Sequence, residues 1–229
     1  PSLPPVTYGG LNVAASGARA DAPLTLGSGI PAELQVQFTL TFAPDGNLPN
    51  DRAIVFTNGQ RQITATIPSG SPAPVQVSFQ TGSTAGVVTL TPRFIAGTTD
   101  VTPPGVSSRS ITIARTAPVL ATEIRSVRSS GTQLTLTATG ITNTREVSRA
   151  TFEFTAASGD TLVSSSFPID TTAMFAGWFN SAIGQQEGGT FLYTQTFNVT
   201  PSSSGVASVG VSLTNAAGVS AVRTAQCTQ

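Results

Sequence analysis

The stretch LQVQFTLTF, residues 34–42, alternates apolar and polar side chains without a break, and this alternation restricts the fold more than any other feature. Side chains two apart share one face of a strand, whereas a helix would scatter them around its axis. The pattern recurs in Ile63, Ala65 and Ile67, in Val75, Val77 and Phe79, and in Val88 and Leu90. It returns in Ile111 and Ile113, in Leu134, Leu136 and Ala138, and in Ala150, Phe152 and Phe154. Phe191, Tyr193, Phe197 and Val199 continue it, and Ala207, Val209, Val211 and Leu213 close the series. Short half-buried strands broken by Gly and Pro predict an all-β chain built as antiparallel sandwiches.

Two local signals refine this reading. Asn58-Gly59, between AIVFT and QRQITATI, predicts a two-residue hairpin with a type I′ turn, which needs positive φ at both central residues. Pro92 inside VTLTPRF lacks a ladder donor, so its strand is expected at an edge or broken there. An approximate repeat then sets the domain count. LQVQFTLTF precedes DRAIVFT, TQLTLTATG precedes SRATFEFT, and the two Arg-Ala pairs, Arg52-Ala53 and Arg149-Ala150, lie one sandwich length apart. About a hundred residues is the size of an immunoglobulin-like sandwich. The expectation is therefore two tandem immunoglobulin-like β-sandwiches. Residues 1–116 include the Pro-rich opening PSLPPVTYGG as a linker; residues 117–229 carry one short helix near 171–183.

That helix is read from DTTAMFAGWFNSAIGQQEGG, residues 170–189, which contains the chain's single Trp and single Met. Asp170 suits an N-cap, with Ile169 and Met174 placed as a hydrophobic staple. Met174, Phe175, Trp178, Phe179, Ala182 and Ile183 fall on one helical face, and Gly184 supplies a stop. Two roles fit. The helix plugs an open end of the second sandwich, or Trp178 and Phe179 form an aromatic ligand-binding platform beside the loop that follows. Aromatics at helical spacing belong to a core more often than to a site, which favours the plug.

Composition excludes more chemistry than it suggests. The chain has no His, and its 11 basic residues are all Arg, balanced by 11 acids. Without His the usual base of serine and cysteine hydrolases and the commonest zinc ligand are missing. Without Lys there is no Schiff base and no P-loop. The acids are scattered singly, so neither a catalytic carboxylate pair nor a linear calcium loop is read, and the sequence assigns no catalytic, cofactor-binding or metal-binding residue. A neutral surface offers no counterion-release drive toward nucleic acid, and no apolar run reaches the ~18 residues of a membrane span. Cys227 is single, so no intrachain disulfide forms, and it is expected on a frayed tail.

The stretches RQITATIPSGS, QTGSTAGVVTLTPRF, RTAPVL, SRATFEFT and FAGWFNS together resemble the paired immunoglobulin-like modules of long, exported, multi-domain bacterial proteins. The resemblance implies a non-enzymatic extracellular or cell-surface role as a structural spacer or adhesive segment, with other protein domains or surface polysaccharide as partners. It transfers no site residues. The alternative expectation is a carbohydrate- or peptide-binding module using the Trp178 region or the loop tips.

Overall fold

The computed structural model describes residues 3–9, 11, 15–70, 73–106 and 108–229. The chain divides into two compact units, Pro1–Ala114 and Arg115–Gln229, each with its own buried apolar cluster.

The first unit contains β1 (Val6–Tyr8), β2 (Arg19–Leu26), β3 (Leu34–Pro44), β4 (Gln62–Ile67), β5 (Val75–Gln80), β6 (Gly86–Ala96), β7 (Thr99–Asp100) and β8 (Arg109–Ile113). One sheet runs β1-β2-β5; the other runs β4-β3-β6-β7, with β8 also on β6. The pairings are antiparallel. Alternation places Leu34, Val36, Phe38 and Leu40 inward from β3, where they meet Val88, Leu90 and Phe94 of β6 in one core.

Three expectations change here. The opening segment supplies a strand rather than a linker: Val6, Thr7 and Tyr8 pair with Leu26, Thr25 and Leu24, and Leu3, Val6 and Tyr8 pack on the core. Residues 1, 2 and 10 of that expected linker lie outside the described residues. The turn at Asn58-Gly59 exists, but of the two residues Gly59 alone has a positive φ, 76°. Phe56 N–H donates to the Gln60 carbonyl (2.8 Å) and Gly59 N–H to the Phe56 carbonyl (2.9 Å), so the loop is longer than two residues and is not type I′. DRAIVFT before it is a loop with a single bridge, Phe56 to Phe79. The cause is Asp51. Its carboxylate is fully buried and accepts from Ala53 N–H (2.9 Å), Ser83 N–H (2.5 Å) and Ser83 Oγ (3.1 Å). Arg61 then donates to the Asp51 carbonyl (2.5 Å), the Ile54 carbonyl (3.3 Å) and Asn50 Oδ1 (2.7 Å). Ile54 and Phe56 are buried, yet side-chain bonds hold their backbone out of a strand apart from the one bridge.

Pro92 neither breaks nor ends β6, which pairs with β3 from Gly86 to Ile95, Phe38 opposite Pro92. On the other side β8 pairs with Gly86–Leu90 and β7 with Ile95–Ala96. Pro92 sits in the gap between them, where no ladder donor is needed.

The second unit contains β9 (Val119–Leu120), β10 (Arg125–Arg128), β11 (Gln133–Ile141), β12 (Arg149–Ala156), β13 (Ser166–Asp170), α1 (Thr172–Asn180), β14 (Thr190–Asn198), β15 (Val206–Asn215), β16 (Gly218–Val219) and β17 (Arg223–Thr228). Its strands form one continuous path, β13-β12-β15-β17-β10-β11-β14. β17 joins the two layers: it is antiparallel to β15 and parallel to β10. Cys227 therefore lies in a paired strand and not on a frayed tail. Its Sγ is 3.3 Å from Ser126 Oγ, and its carbonyl accepts from Arg128 Nη1 at 2.6 Å. A bulge at Thr155/Ala156 skips one residue of β15, so Val206 rather than Ala207 takes the buried position.

Both units share one strand logic. β1-β2-β5 and β10-β11-β14 form one layer each, and β4-β3-β6-β8 and β13-β12-β15-β17 form the other. This is the immunoglobulin-like arrangement with an extra strand on the second layer. The repeat in the sequence is real but falls one strand out of the expected alignment. LQVQFTLTF (β3) corresponds to RATFEFTA (β12), and RADAPLTL (β2) to QLTLTATGI (β11). Arg52-Ala53 is in the Asp51 loop while Arg149-Ala150 opens β12, so the two Arg-Ala pairs are not equivalent.

Candidate functional site

The layers of the second unit are joined at β10 and β17, and they part at β13 and β14, the outer strands of the path. The parting is a slot with apolar walls. Phe197 of β14 stands edge-on to Phe154 of β12 (5.0 Å between centroids), which stands edge-on to Phe167 of β13 (5.5 Å).

α1 fills one end of this slot. Phe175 and Phe179 are 2% and 4% exposed, with Phe175 edge-on to Phe191 at 5.1 Å and 5.4 Å from Tyr193. The helix begins one residue later than Asp170 suggests. Thr171 is the N-cap, and its buried hydroxyl donates to the Val147 carbonyl (3.1 Å). Asp170 instead stays in β13, where Oδ1 accepts from Thr172 N–H at 2.9 Å. Bonds from the Thr172 backbone and side chain, with Arg149 opposite in register, hold its carboxyl below the usual value. Met174 and Ile183 are 46% and 63% exposed, so the expected staple and the ends of the expected face look outward. Trp178 is half-buried; its indole N–H donates to the Thr190 carbonyl at 3.0 Å. Of the two residues read as an aromatic platform, Phe179 is thus enclosed and Trp178 has its polar edge engaged.

Arg145 holds the loop after the helix, and nothing in the sequence singled it out. It has φ 55°, rare for a residue with a Cβ. Nη2 donates to the Phe179 carbonyl (2.6 Å), and Nη1 donates to the carbonyls of Gly184 (3.1 Å) and Gly188. The guanidinium lies 4.7 Å from the Phe179 ring centroid. One side chain therefore ties down the end of α1 and the Gly-rich turn behind it, using the planar fork that Lys lacks.

The other end of the slot is open. A pocket of about 510 Å³ is lined by Phe154, Leu162, Val163, Phe167, Phe197, Val199, Pro201 and Val206, with Thr161, Ser164, Asn198 and Thr200 at its polar positions. Val163 is fully exposed, and Phe167 is 41% exposed. None of the lining residues is ionisable. The volume lies within the ~300–1,000 Å³ range of ligand pockets. The sequence signal was present in Phe167 and Val163 as apolar residues in an otherwise polar stretch, but spacing alone did not bring them to Phe197.

No metal-ligating constellation forms among the described residues. No group of three or more His, Cys, Asp or Glu side chains converges. Like Asp170, two further carboxyls are held below the usual value by their immediate neighbours, Asp21 by Ser78 and Arg19, and Asp100 by Thr102 and Arg93. No helix is long and apolar enough to cross a membrane among the described residues.

These features define an all-β chain of antiparallel, immunoglobulin-like sandwich layers with one short helix. A scan against protein-family models finds no match, and a search of curated proteins finds none. Among solved structures, the chain is similar to the FN1-FN3 domains of chicken CNTN1 at 12% identity. That alignment covers 98% of this chain and 66% of that one, with a TM-score of 0.29.

Proposed function

We propose that this chain is a non-enzymatic structural or adhesive segment, a spacer, within a larger bacterial surface or secreted protein. One observation carries the reading: four of the five buried or half-buried charged side chains among the described residues, Asp51, Arg61, Arg128 and Arg145, are spent on backbone, and Arg223 alone leaves its Nε without a partner. Asp51 is satisfied by Ala53 and Ser83, Arg61 bonds backbone of the Asp51 loop, and Arg145 holds three carbonyls behind α1. Arg128 spans the carbonyls of Ser203 (3.1 Å), Cys227 (2.6 Å) and Val206 (2.7 Å). Side chains used to lock loops serve rigidity; a catalytic site instead leaves such groups facing a cleft. The test is antibody labelling of intact, unpermeabilised cells expressing the parent gene. Labelling without lysis supports the reading. Labelling that requires lysis, or loss of turnover of a soluble substrate when residues 1–229 are deleted, overturns it.

The open slot end favours a second reading, a peptide-binding module at the loop tips. Its apolar lining suits the apolar side chain of a peptide better than a sugar, whose many hydroxyls each need a partner. An array of leucine- and phenylalanine-bearing peptides probed with wild type and with Phe167→Ser decides it. Binding lost in the variant at unchanged melting temperature supports this module, and no binding by wild type rejects it.

A further inference from the structure

The two outer strands of the second unit's sheet are finished very differently. In the β12–β13 pair, Phe154 N–H donates to the Ser165 carbonyl and Thr171 N–H to the Ser148 carbonyl. With the register between them, this turns Phe167 and Ile169 toward β12 and leaves Ser166, Pro168 and Asp170 facing outward. The outward row of β13 thus carries a proline, which has no N–H to offer, and a carboxylate. Both are devices by which natural sheets close an edge to further pairing.

β14 has neither. Val199 N–H donates to the Thr132 carbonyl and Thr142 N–H to the Gly189 carbonyl, so the odd-numbered residues of β14 face β11. The backbone groups of Leu192, Thr194 and Thr196 face outward. The Trp178 indole N–H donates to the carbonyl of Thr190, and Gln195 Nε2, from the preceding residue, donates to that of Thr196 at 3.0 Å, an exposed bond that an incoming strand would replace. Among the described residues, no other strand lies on this side of β14. Leu192, Thr194 and Thr196 are exposed, and no Asp, Glu, Lys, Arg, His or Pro occurs from Thr190 to Thr200, Tyr193 being buried in the core. This is a nine-residue edge strand with an open ladder.

We infer that β14 is a pairing edge for a second copy of this chain, joined antiparallel about a twofold axis at Thr194. In that register Thr194 exchanges both of its backbone bonds with Thr194 of the second copy, and Leu192 exchanges its bonds with Thr196. The outer face then sets Thr194 against Thr194 and Leu192 against Thr196, cross-strand pairs that sheets accept. Charge selects the occupant. A twofold pairing sets the residues at the axis beside their own duplicates, so a charged side chain there would be repelled, and β14 carries no acidic or basic residue. A foreign strand chosen by charge would need a complementary group that this edge does not display. The helix limits the register: Trp178 closes the Thr190 carbonyl, so pairing ends at Leu192 and cannot slide toward the start of β14. A ladder this short, without a large apolar interface, gives a weak and reversible dimer. The inference stands apart from the spacer reading, since an edge pairs in the same way whatever the parent protein does.

The experiment is sedimentation velocity on the whole chain over a concentration series up to the millimolar range, with amide exchange at its two ends. A reversible monomer–dimer equilibrium is expected, with slower exchange of the Leu192, Thr194 and Thr196 amides at high concentration. Thr194→Pro removes an outward N–H and no bond to β11. Thr194→Lys sets two like charges at the axis. Each should weaken dimerisation at least tenfold and leave the melting temperature within about two degrees. A strictly monomeric wild type overturns the inference. So does a dimer that persists unchanged in both variants, or one whose protected amides lie elsewhere.

Discussion

Deleting the Phe175 ring tests whether α1 is part of the core or lies on it. The side chain is 2% exposed, and its neighbours Phe191 and Tyr193 belong to β14, whose backbone is laddered to β11 along its length. Walls of that kind cannot collapse into the space left by Phe175→Ala, so the cost belongs in the upper part of the usual range for Phe→Ala, about 4 kcal/mol. With a urea m-value near 2 kcal/mol/M for a unit of this size, the midpoint should fall by about 2 M. Trp178 is the chain's single tryptophan and sits on the same helix, so its emission follows the unit concerned. Met174→Ala is the control: the side chain is 46% exposed, and its loss should cost under about 1 kcal/mol. Trp178→Ala, followed by circular dichroism, should fall between them at about 2 kcal/mol, because the indole is half-buried but loses its bond to Thr190. If Phe175→Ala moves the midpoint no further than Met174→Ala, the helix is a surface appendage and the reasoning fails.

Asp51→Ala strips acceptors from buried N–H groups and should lower the stability of the first unit by about 2–4 kcal/mol in calorimetry, leaving Trp178 emission unchanged. Arg145→Gly relieves the positive φ but removes the three-carbonyl clamp; amide exchange across residues 181–189 should accelerate at least tenfold, and an unchanged rate would make the clamp idle. Asp21, Asp100 and Asp170 titrate below 3.8 in the folded chain, so their contribution is present above that pH and is lost as pH falls through the folded values. With no His, acid unfolding curves should be flat from pH 5 to 8, and a transition near pH 6.5 would contradict this. Burial raises Tyr8 to about 12 and Tyr193 further, so their contribution is complete below 10.0 and is lost as pH rises through the folded values, visible as delayed phenolate absorbance.

Alternation carried most of the fold to the page because a period of two reports directly which side chains face inward. It failed where side-chain bonds override the ladder. Ile54 and Phe56 alternate and are buried like strand residues, yet the Asp51 carboxylate and the Arg61 fork keep their backbone in a loop. The repeat slipped by a strand for a related reason: with that loop mistaken for a strand, β3 was matched to β11 instead of β12. In the helix, Phe175 and Phe179 are legible from spacing, but Met174 faces outward and Ile183 lies beyond the helix, which ends at Asn180 and not at Gly184. The pocket at the far end unites Phe154, Phe167 and Phe197 from three strands, and no local pattern encodes that meeting.

The parallel pairing of β10 with β17 also decides how the second unit bears load. β10 lies near the start of the unit and β17 at its end, and they run side by side in the same direction. Tension applied before Arg125 and after Thr228 therefore pulls the two strands along their lengths in opposite senses. Their hydrogen bonds, with the Arg128 bond to the Cys227 carbonyl and the Thr228 hydroxyl bond to Ser126, are loaded together in shear. An antiparallel closure would open one bond at a time, like a zip. Here the bonds must break at once, so the unit should resist extension up to a sharp rupture force and then give way in a single step.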